Sequence, residues 1–360
     1  MSVVNNDDIF PPLTPDYILA FQFSNWYPSF IRASPKSTII RPLGKDFKHY
    51  LESDSIFVPD GSEDVVVEST ISDDDDDDDE YEDTAIVGEH FSFPELDERI
   101  RSVIREYKAV FPKLNFSSPK DASWVLPASS PLKCTSPVDV YLLLKSSDFI
   151  AHDLSIESVF DGCKIDDLPD YELELVLRKW YPVDHSREVR CFVRNDVLVG
   201  YATGISQRDT NFYDFMINPE VQNTIKTTVY NLWQEIVRPN WTFSRKDYIF
   251  DFLLTRDLSS GHIIDFNPYA PRTDPLLFAY EELHEVLSRA NQGASASRTF
   301  LPDLRVIDSL LHPAATRNMP AYQHNRMPIE ALTLSEDRNI VEFGEIWQEE
   351  VIRAMREKDD

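Results

Sequence analysis

Two segments decide the fold of this chain: Tyr248-Ile-Phe-Asp-Phe-Leu-Leu254 and His262-Ile-Ile-Asp-Phe-Asn267, with the turn residues Leu258-Ser-Ser-Gly261 between them. Both segments are rich in β-forming residues, and their spacing predicts an antiparallel hairpin. Facing residues in such a pair have a constant sum of positions, so a turn centred on residue 258 places Asp251 opposite Asp265. Because side chains alternate along a strand, Asn267 lies on the same face as Asp265.

The side chains of Asp251, Asp265 and Asn267 form the first candidate site. Carboxylates directly opposite each other destabilise a sheet unless a cation neutralises them. A set of oxygen ligands suits a hard cation such as Mg²⁺. The pattern therefore predicts a magnesium site that holds nucleotide phosphates. The alternative is that the strands pair in another register and the carboxylates face water.

The composition is that of an acidic globular protein. The 360 residues carry a formal net charge of −28, and 42% of them are hydrophobic. Nucleic-acid binding requires a basic surface, so this charge argues against a direct nucleic-acid partner. Ten carboxylates lie between residues 73 and 83, and we expect residues 59–88 to form an acidic disordered loop. The simplest role of such a loop is solubility, and contact with a positively charged partner is the alternative.

The three cysteines, Cys134, Cys163 and Cys191, show no metal-binding spacing and cannot all pair with one another. This usage is typical of a reducing compartment, the cytosol or the nucleoplasm, and we expect a cytoplasmic location. The first residues lack the regions of a signal peptide, and no stretch approaches the roughly 20 apolar residues of a membrane span. We expect no membrane contact, and a monomer because no apolar heptad indicates self-association.

Local patterns predict further elements around the hairpin. Ser92 followed by Pro94 predicts the start of a helix, and Asn218 followed by a proline predicts the start of a long one. Alternation predicts a strand within residues 172–180, whereas the apolar run at 141–145 fits either a helix or a buried strand.

Basic side chains cluster between acidic stretches in the middle of the chain, at Arg178, Lys179, Arg187, Arg190, Arg194 and Arg208. On the predicted strand from Glu188, Arg190 and Arg194 lie on one face, opposite the apolar face. A guanidinium group binds phosphate oxygens through two hydrogen bonds, so phosphate binding is one interpretation. The other is a set of surface ion pairs with neighbouring acids, namely Glu172, Glu174, Asp184 and Glu188.

A second candidate phosphate segment is Phe111-Pro-Lys-Leu-Asn-Phe-Ser-Ser-Pro-Lys-Asp-Ala122. Its backbone amides, together with the ammonium groups of Lys113 and Lys120, could cover a polyphosphate. The generic GxxxxGK[ST] and GxGxxG patterns are absent from the chain, and an ordinary solvent loop is the alternative. The serines and histidines also lack the spacing of a hydrolytic triad or of a zinc protease.

Several ordered strings resemble the family of cell division cycle protein 123, also called the D123 family. They lie between residues 20 and 285, and they are Gln22-Phe-Ser-Asn-Trp-Tyr-Pro28, Phe111-Pro-Lys-Leu-Asn-Phe-Ser-Ser-Pro-Lys-Asp-Ala-Ser-Trp124, Leu143-Leu-Lys-Ser-Ser-Asp148, Glu174-Leu-Val-Leu-Arg-Lys-Trp180, Glu188-Val-Arg-Cys-Phe-Val-Arg194, Ile205-Ser-Gln-Arg-Asp209, Ile264-Asp-Phe-Asn-Pro268 and Thr273-Asp-Pro-Leu-Leu-Phe278.

The resemblance implies an α+β protein with an ATP-grasp fold, in which two lobes with mainly antiparallel sheets enclose ATP and Mg²⁺. It also implies an assembly factor for eukaryotic translation initiation factor 2 that binds the C-terminal domain of the γ subunit and promotes its union with the α subunit. The alternative within this fold is a ligase that joins a carboxylate to an amine through an acyl-phosphate.

The expected organisation follows the resemblance and the composition. Residues 1–58 form the N-terminal part of the first lobe, 59–88 the acidic loop, 89–180 the rest of the first lobe, 181–290 the second lobe with the metal-binding hairpin, and 291–360 a tail that could dock the partner.

Carried over position by position, the resemblance implies the following nucleotide contacts. The phosphate-covering segment contributes Lys113, Asn115, Ser118, Lys120 and Ala122. The junction of the lobes, where strand backbone reads adenine, contributes Arg178, Lys179, Trp180 and Tyr181. Phosphate or partner contacts come from Arg190, Arg194 and Arg208. The metal-binding positions, which also contact ATP, are Asp251, Asp265 and Asn267.

Overall fold

The computed structural model describes residues 9–53, 58–63, 89–127, 129–163, 169–198, 204–292 and 302–317. Within these residues the strands are β1 (Ser37–Ile40), β2 (Val110–Lys113), β3 (Leu175–Lys179), β4 (Glu188–Arg194), β5 (Val197–Leu198), β6 (Ile205–Gln207), β7 (Tyr248–Leu254), β8 (Gly261–Asn267) and β9 (Leu304–Arg305). All of them lie in one compact unit of the chain, Met1–Asn318.

The strands form two sheets. The first has the order β1-β3-β2 and is antiparallel throughout. The second has the order β8-β7-β4-β6-β9, with β5 paired to β4. Only the short β6–β9 contact is parallel among these pairs. The predicted α+β class with mainly antiparallel sheets is therefore confirmed.

The described residues also form helices of 3 to 14 residues. In chain order they are α1 (Pro15–Leu19), α2 (Phe23–Phe30), α3 (Lys45–Glu52), α4 (Pro94–Tyr107), α5 (Pro137–Lys145), α6 (Ala151–Leu154), α7 (Ile156–Val159), α8 (Pro219–Leu232), α9 (Arg238–Asn240), α10 (Tyr280–Gln292) and α11 (Pro313–Arg317). A π-helical turn, Trp233–Val237, joins α8 to α9. Within the described part of the chain, no helix combines the length and apolar character needed to cross a bilayer.

Strand β3 separates two hydrophobic cores because its side chains alternate. Leu175 and Leu177 pack with α3, α4 and α5 in the core of the first sheet. Val176 points the other way, into a larger core that contains α2, α8 and the apolar face of β4. Arg178 shares the face of Val176, so the basic end of β3 is directed toward the second sheet.

Several local predictions can be compared directly with these elements. Residues 141–145 belong to helix α5, so the ambiguous apolar run is helical. The Asn218 cap is confirmed, since its side chain accepts a hydrogen bond from the amide of Glu220. The Ser92 cap is wrong. The N-cap of α4 is Phe93, and the Ser92 hydroxyl instead donates to the carbonyl of Asp60 at 3.4 Å.

Strand β9 lies beyond residue 290, where the sequence analysis ends the second lobe, so the second sheet includes a piece of the predicted tail. Most of the predicted acidic loop and most of the tail, including its predicted final helix, lie outside the described residues.

Candidate functional site

The predicted hairpin forms in the predicted register. Strands β7 and β8 pair with Asp251 opposite Asp265 and with Ile249 opposite Asn267. A bulge after Asp251 shifts the register by one, so Phe252 faces Ile263. The bulge lies directly beside the paired carboxylates, as bulges often do next to functional sites.

One row of side chains crosses four strands of the second sheet. Asp265 on β8, Asp251 on β7, Arg190 on β4 and Ser206 on β6 are directly opposite one another, so they share a face. Asn267 lies one row along on the same face. The three oxygen ligands that the sequence predicts are thus brought together, and an arginine continues their row.

Asp251 is the centre of this row and is only 3% exposed. The Nε and Nη2 atoms of Arg190 donate to its two carboxylate oxygens at 2.7 and 2.9 Å, and Nε of Arg208 donates at 3.2 Å. Burial by itself raises the pKa of Asp251, but the two guanidinium groups outweigh it and hold that pKa well below its usual range. Asp251 is therefore ionised at neutral pH.

Glu188 extends the cluster at the start of β4. Its carboxylate accepts a hydrogen bond from Nη1 of Arg208 at 3.0 Å, and Nδ1 of His185 lies 3.0 Å from its other oxygen. Burial opposes its ionisation, yet the bond to His185 and the charges of Lys120 and Arg208 lower the pKa of Glu188 to about 2. From its sequence Glu188 was predicted only as a partner in surface ion pairs, and no local pattern marks it as a site residue.

Two cations of the first sheet reach across to β8. Lys113 is 1% exposed, and its Nζ donates to Asp265 at 3.0 Å and also to the carbonyl of Phe116. Nη2 of Arg178 donates to the carbonyl of Ile264 at 2.8 Å. Lys113 lies opposite Val176 in the first sheet, so Lys113 and Arg178 share one face, and that face meets the second sheet.

Lys120 completes the cluster from the loop after β2. Its ammonium group makes no hydrogen bond or ion pair with the residues that the structure describes, although the charges of Glu188, Asp251 and Asp265 act on it. Burial and the nearby charge of Arg208 lower the pKa of Lys120 to about 8. Lys120 and Arg178 are the two cations of the cluster that form no ion pair with a carboxylate of the described residues.

The cluster carries more positive than negative charge. We define the charge cluster as the five cations Lys113, Lys120, Arg178, Arg190 and Arg208 with the three carboxylates Glu188, Asp251 and Asp265. In addition, Nε of Arg178 and Nδ2 of Asn267 are buried donors with no hydrogen-bond partner in the described part of the chain. Surplus charge and unpaired donors both call for an anionic, acceptor-rich ligand.

The oxygen ligands fit magnesium only as a partial set. Among the described residues, no three histidine, cysteine, aspartate or glutamate side chains group closely enough to hold a metal by themselves. Asp251 and Asp265 are both matched by basic side chains. Mg²⁺ is usually held by one or two carboxylates together with substrate phosphates, and Asp251, Asp265 and the Asn267 amide match that chemistry.

A cavity of about 500 Å³ opens beside the charge cluster, a size within the range of ligand sites. Three of its lining residues, Ser118, Arg190 and Asn267, are predicted site residues. The other walls come from the N-terminal segment, from the chain around α6 and from the loop after β8. Four phenylalanines line the cavity: Phe21, Phe116, Phe149 and Phe266.

The remaining predicted contacts lie outside the charge cluster. Asn115 is fully buried, with its amide bonded to backbone atoms of Glu172 and Glu174. Ala122 is also fully buried and packs in the core of the first sheet. These two side chains therefore hold the phosphate-covering segment in place. At positions 115 and 122, only backbone atoms are left to contact a ligand.

The arginines of β4 separate. Arg190 belongs to the charge cluster, whereas Arg194 forms an ion pair with Asp247 at 2.9 Å and lies over the ring of Tyr269. The residues that follow directly after Arg178 are not part of the charge cluster. Nε1 of Trp180, just after β3, donates a hydrogen bond to the carbonyl of Pro131. Lys179 lies over the ring of Tyr181, which is 47% exposed.

Asp153 is a second residue that the sequence analysis missed. It is fully buried and accepts hydrogen bonds from the amides of Phe116 and Ser117 and from the Ser117 hydroxyl, at 2.7 to 2.9 Å. It therefore anchors the loop that carries Lys120. Asp153 lies in α6, far along the chain, and no local pattern marks it.

The chain is similar to known proteins over most of its length. The family model described as D123 matches residues 26–335. A relative named "Translation initiation factor eIF2 assembly protein", from Schizosaccharomyces pombe, is 36% identical over 344 residues, which cover 94% of this chain and 97% of the relative. A relative named "Cell division cycle protein 123", from Candida glabrata, is 33% identical over 364 residues, which cover 97% of this chain and 96% of the relative.

A solved structure is also similar. "Structure of Cdc123 from Schizosaccharomyces pombe" matches with a TM-score of 0.62 and 34% identity, and the match covers 83% of this chain and 100% of that one.

Proposed function

The chain belongs to the D123 family, and on that basis we propose that it is an ATP- and Mg²⁺-binding assembly factor for eukaryotic translation initiation factor 2. The assembly role is supported by relatives with that name, which the chain matches over nearly its whole length. Nucleotide binding is supported by the charge cluster and by the cavity beside it.

The surplus of positive charge carries the nucleotide proposal. In a chain with a net charge of −28, five cations gather around three carboxylates, and most of these groups are shielded from water. Uncompensated buried charge is costly, so such a cluster persists where an anion completes it. A triphosphate has the required charge and supplies acceptors for the unpaired donors on Arg178 and Asn267.

We assign the nucleotide to the cleft between the two sheets, in the manner of an ATP-grasp protein. Lys113, Lys120 and Arg178 approach from the first sheet and its loop, and Arg190 and Arg208 approach from the second. The proposed adenine side is formed by the end of β3 at Lys179 and by the two residues that follow it, Trp180 and Tyr181.

Mg²⁺ would be held by Asp251, Asp265 and Asn267 together with phosphate oxygens. Bound there, it would neutralise phosphate charge and fix the phosphates against β8. The assembly partner that we propose is the γ subunit of the initiation factor, through its C-terminal domain, and the place of action is the cytoplasm.

Calorimetry with ATP and Mg²⁺ tests the nucleotide proposal. We expect Asp265→Ala to lower ATP affinity at least about tenfold, because it removes a proposed metal ligand and leaves Lys113 without its carboxylate. Asp257→Ala is the matched control, since this carboxylate lies in the exposed turn of the same hairpin and, among the residues that the structure describes, accepts hydrogen bonds only from Thr255 and Ser259. Equal affinity of both variants and the wild type would contradict the proposed site.

Capture from eukaryotic cell extract tests the assembly role separately. The full chain is immobilised with and without ATP and Mg²⁺, and the retained proteins are identified by mass spectrometry. We expect subunits of translation initiation factor 2, with the γ subunit retained when it is supplied alone. Absence of every subunit under both conditions would refute the assembly role, whatever the result of calorimetry.

A further inference from the structure

The cavity beside the charge cluster contains an imidazole that nucleotide binding does not use. His152 lines this cavity together with Ser117 and Ser118 of the phosphate-covering segment. Its side chain is 36% exposed, and its ring packs edge-on against Phe116 with 6.2 Å between ring centres. His152 therefore lies next to the loop that is proposed to cover the phosphates, on the side open to solvent.

A buried carboxylate orients this imidazole. Nδ1 of His152 lies 2.9 Å from Oδ1 of Asp153, and the other partners of Asp153 are all donors: the Ser117 hydroxyl and the amides of Phe116 and Ser117. Since the carboxylate accepts the hydrogen bonds of these donors, it also accepts one from Nδ1, and Nε2 is the ring nitrogen left to take up a proton. This is the arrangement that makes an imidazole a general base.

The same carboxylate also fixes the imidazole relative to the phosphate-covering segment. One oxygen of Asp153 holds the Phe116 and Ser117 amides, and the other holds the Ser117 hydroxyl and the imidazole. Movement of the segment therefore requires movement of the ring. A base held in register with a bound phosphate has the geometry that phosphoryl transfer needs from its nucleophile-activating group.

We propose that the water that attacks the bound nucleoside triphosphate occupies this cavity, and that His152 is the general base that activates it for hydrolysis. Asp153 is a positioning residue that acts through His152. This inference rests on the proposed nucleotide binding and goes beyond it, because an assembly factor could bind ATP without cleaving it.

The step balances with the nucleotide and water alone. The water oxygen forms a bond to the γ-phosphorus, and its proton passes to Nε2 of His152. The bond from the γ-phosphorus to the bridging oxygen breaks, and its electron pair leaves with the nucleoside diphosphate. The products are the nucleoside diphosphate and inorganic phosphate.

The other charged groups of the cavity are less suited to this role. Asp148 and Asp274 lie in exposed positions, and Oδ1 of Asp274 already accepts a hydrogen bond from the amide of Leu276. Arg190 is committed to Asp251 and to the carbonyl of Asp274. Arg272 uses Nη1 on the carbonyl of Val159, and within the described residues its other nitrogens make no hydrogen bond, so it can stabilise charge on the departing phosphate.

Phosphate release from Mg²⁺–ATP by the full-length chain tests the proposal. The rate of Asp265→Ala, which should not bind the nucleotide well, is subtracted as the background rate. We expect His152→Ala to lower kcat about 100-fold, the low end of what a general base contributes, with calorimetric ATP affinity within about twofold of the wild type. Added imidazole should restore part of the rate, because the cavity then has room for it. His262→Ala, at an exposed histidine of β8, is the control and should leave kcat unchanged.

Asp153→Asn separates positioning from a purely structural role. It should lower kcat about tenfold in the wild type and have no further effect on kcat in the His152→Ala background, because the two residues act as one unit. Equal losses in both backgrounds would show that Asp153 acts only on the loop and would overturn its assigned role.

Two results would overturn the inference itself. One is ATP binding with no phosphate release above background, whether or not purified translation initiation factor 2 is present, which leaves the proposed function intact. The other is release that His152→Ala does not slow. Absence of ATP binding in the calorimetry is a different result and refutes the proposed nucleotide site together with this inference.

Discussion

Replacement of Asp251 by asparagine is the sharpest test of the charge cluster. The substitution keeps the shape of the side chain and removes the charge that faces Arg190 and Arg208. The side chains of Asp251 and Arg190 are only 4% and 9% exposed, so water cannot take over the lost interaction. We therefore expect a lower free energy of unfolding, because the buried guanidinium of Arg190 cannot move out to water.

The magnitude follows from the cost of an unpaired buried charge. Removing one partner of a buried ion pair costs about 3–5 kcal/mol, because the other partner is left uncompensated. Arg208 is 25% exposed and should recover part of its hydration, so we expect about 3 kcal/mol for Asp251→Asn. Since m rises with protein size, a urea m value of about 3 kcal/mol per molar applies, and the unfolding midpoint should fall by roughly 1 M.

The chain offers a matched surface control for this experiment. Asp196 also receives two hydrogen bonds from one arginine, Arg238, but their side chains are 34% and 44% exposed. Asp196→Asn should cost less than about 1 kcal/mol. Urea unfolding of both variants and the wild type at neutral pH measures the difference, and the m value checks that each unfolds in the same way.

The pH dependence of the free energy of unfolding is an independent test of the same contact. Since the folded pKa of Asp251 is lowered, its contribution is fully present above the pKa of an unfolded aspartate, about 4, and is lost as the pH falls toward the folded value. The gap between the wild type and Asp251→Asn should therefore shrink below about pH 4. A loss at neutral pH no larger than that of Asp196→Asn would refute the charge cluster as described.

Three further predictions follow from the same geometry. Because the pKa of Lys120 is lowered to about 8 in the free protein, phosphate binding should restore its proton; ATP affinity should then fall up to about tenfold per pH unit above pH 8, and Lys120→Met should abolish that dependence. Arg178→Met should weaken ATP binding at least about tenfold, whereas Arg194→Met should change it less than about twofold, since Arg194 pairs with Asp247; calorimetry showing equal losses would place both arginines in the site. Gly261→Ala should cost about 1–3 kcal/mol in urea unfolding, because a Cβ there would lie 2.4 Å from the carbonyl oxygen of Leu253; wild-type stability would show that the hairpin relaxes freely.

The hairpin and its carboxylates could be derived from sequence because their determinants are local. Turn residues between two β-rich segments fix which residues of β7 and β8 face each other, and the alternation of a strand then fixes the face of Asn267. The same reasoning places Arg190 and Arg194 on one face of β4. The family resemblance added the expected identity of the ligand, which spacing alone does not contain.

Tertiary structure alone decided which basic group meets which acid. Lys113 and Asp265 are 152 positions apart, and their contact depends on how the two sheets pack. Arg190 and Arg194 look equivalent along β4, yet β7 presents Asp251 to the first, while the second pairs with Asp247 just before that strand. Glu188 and Asp153 acquire their roles in the same way, through neighbours that no local pattern reveals. Side-chain periodicity reports only the direction of a residue within its own element, whereas charge pairing depends on the elements that the fold brings against it.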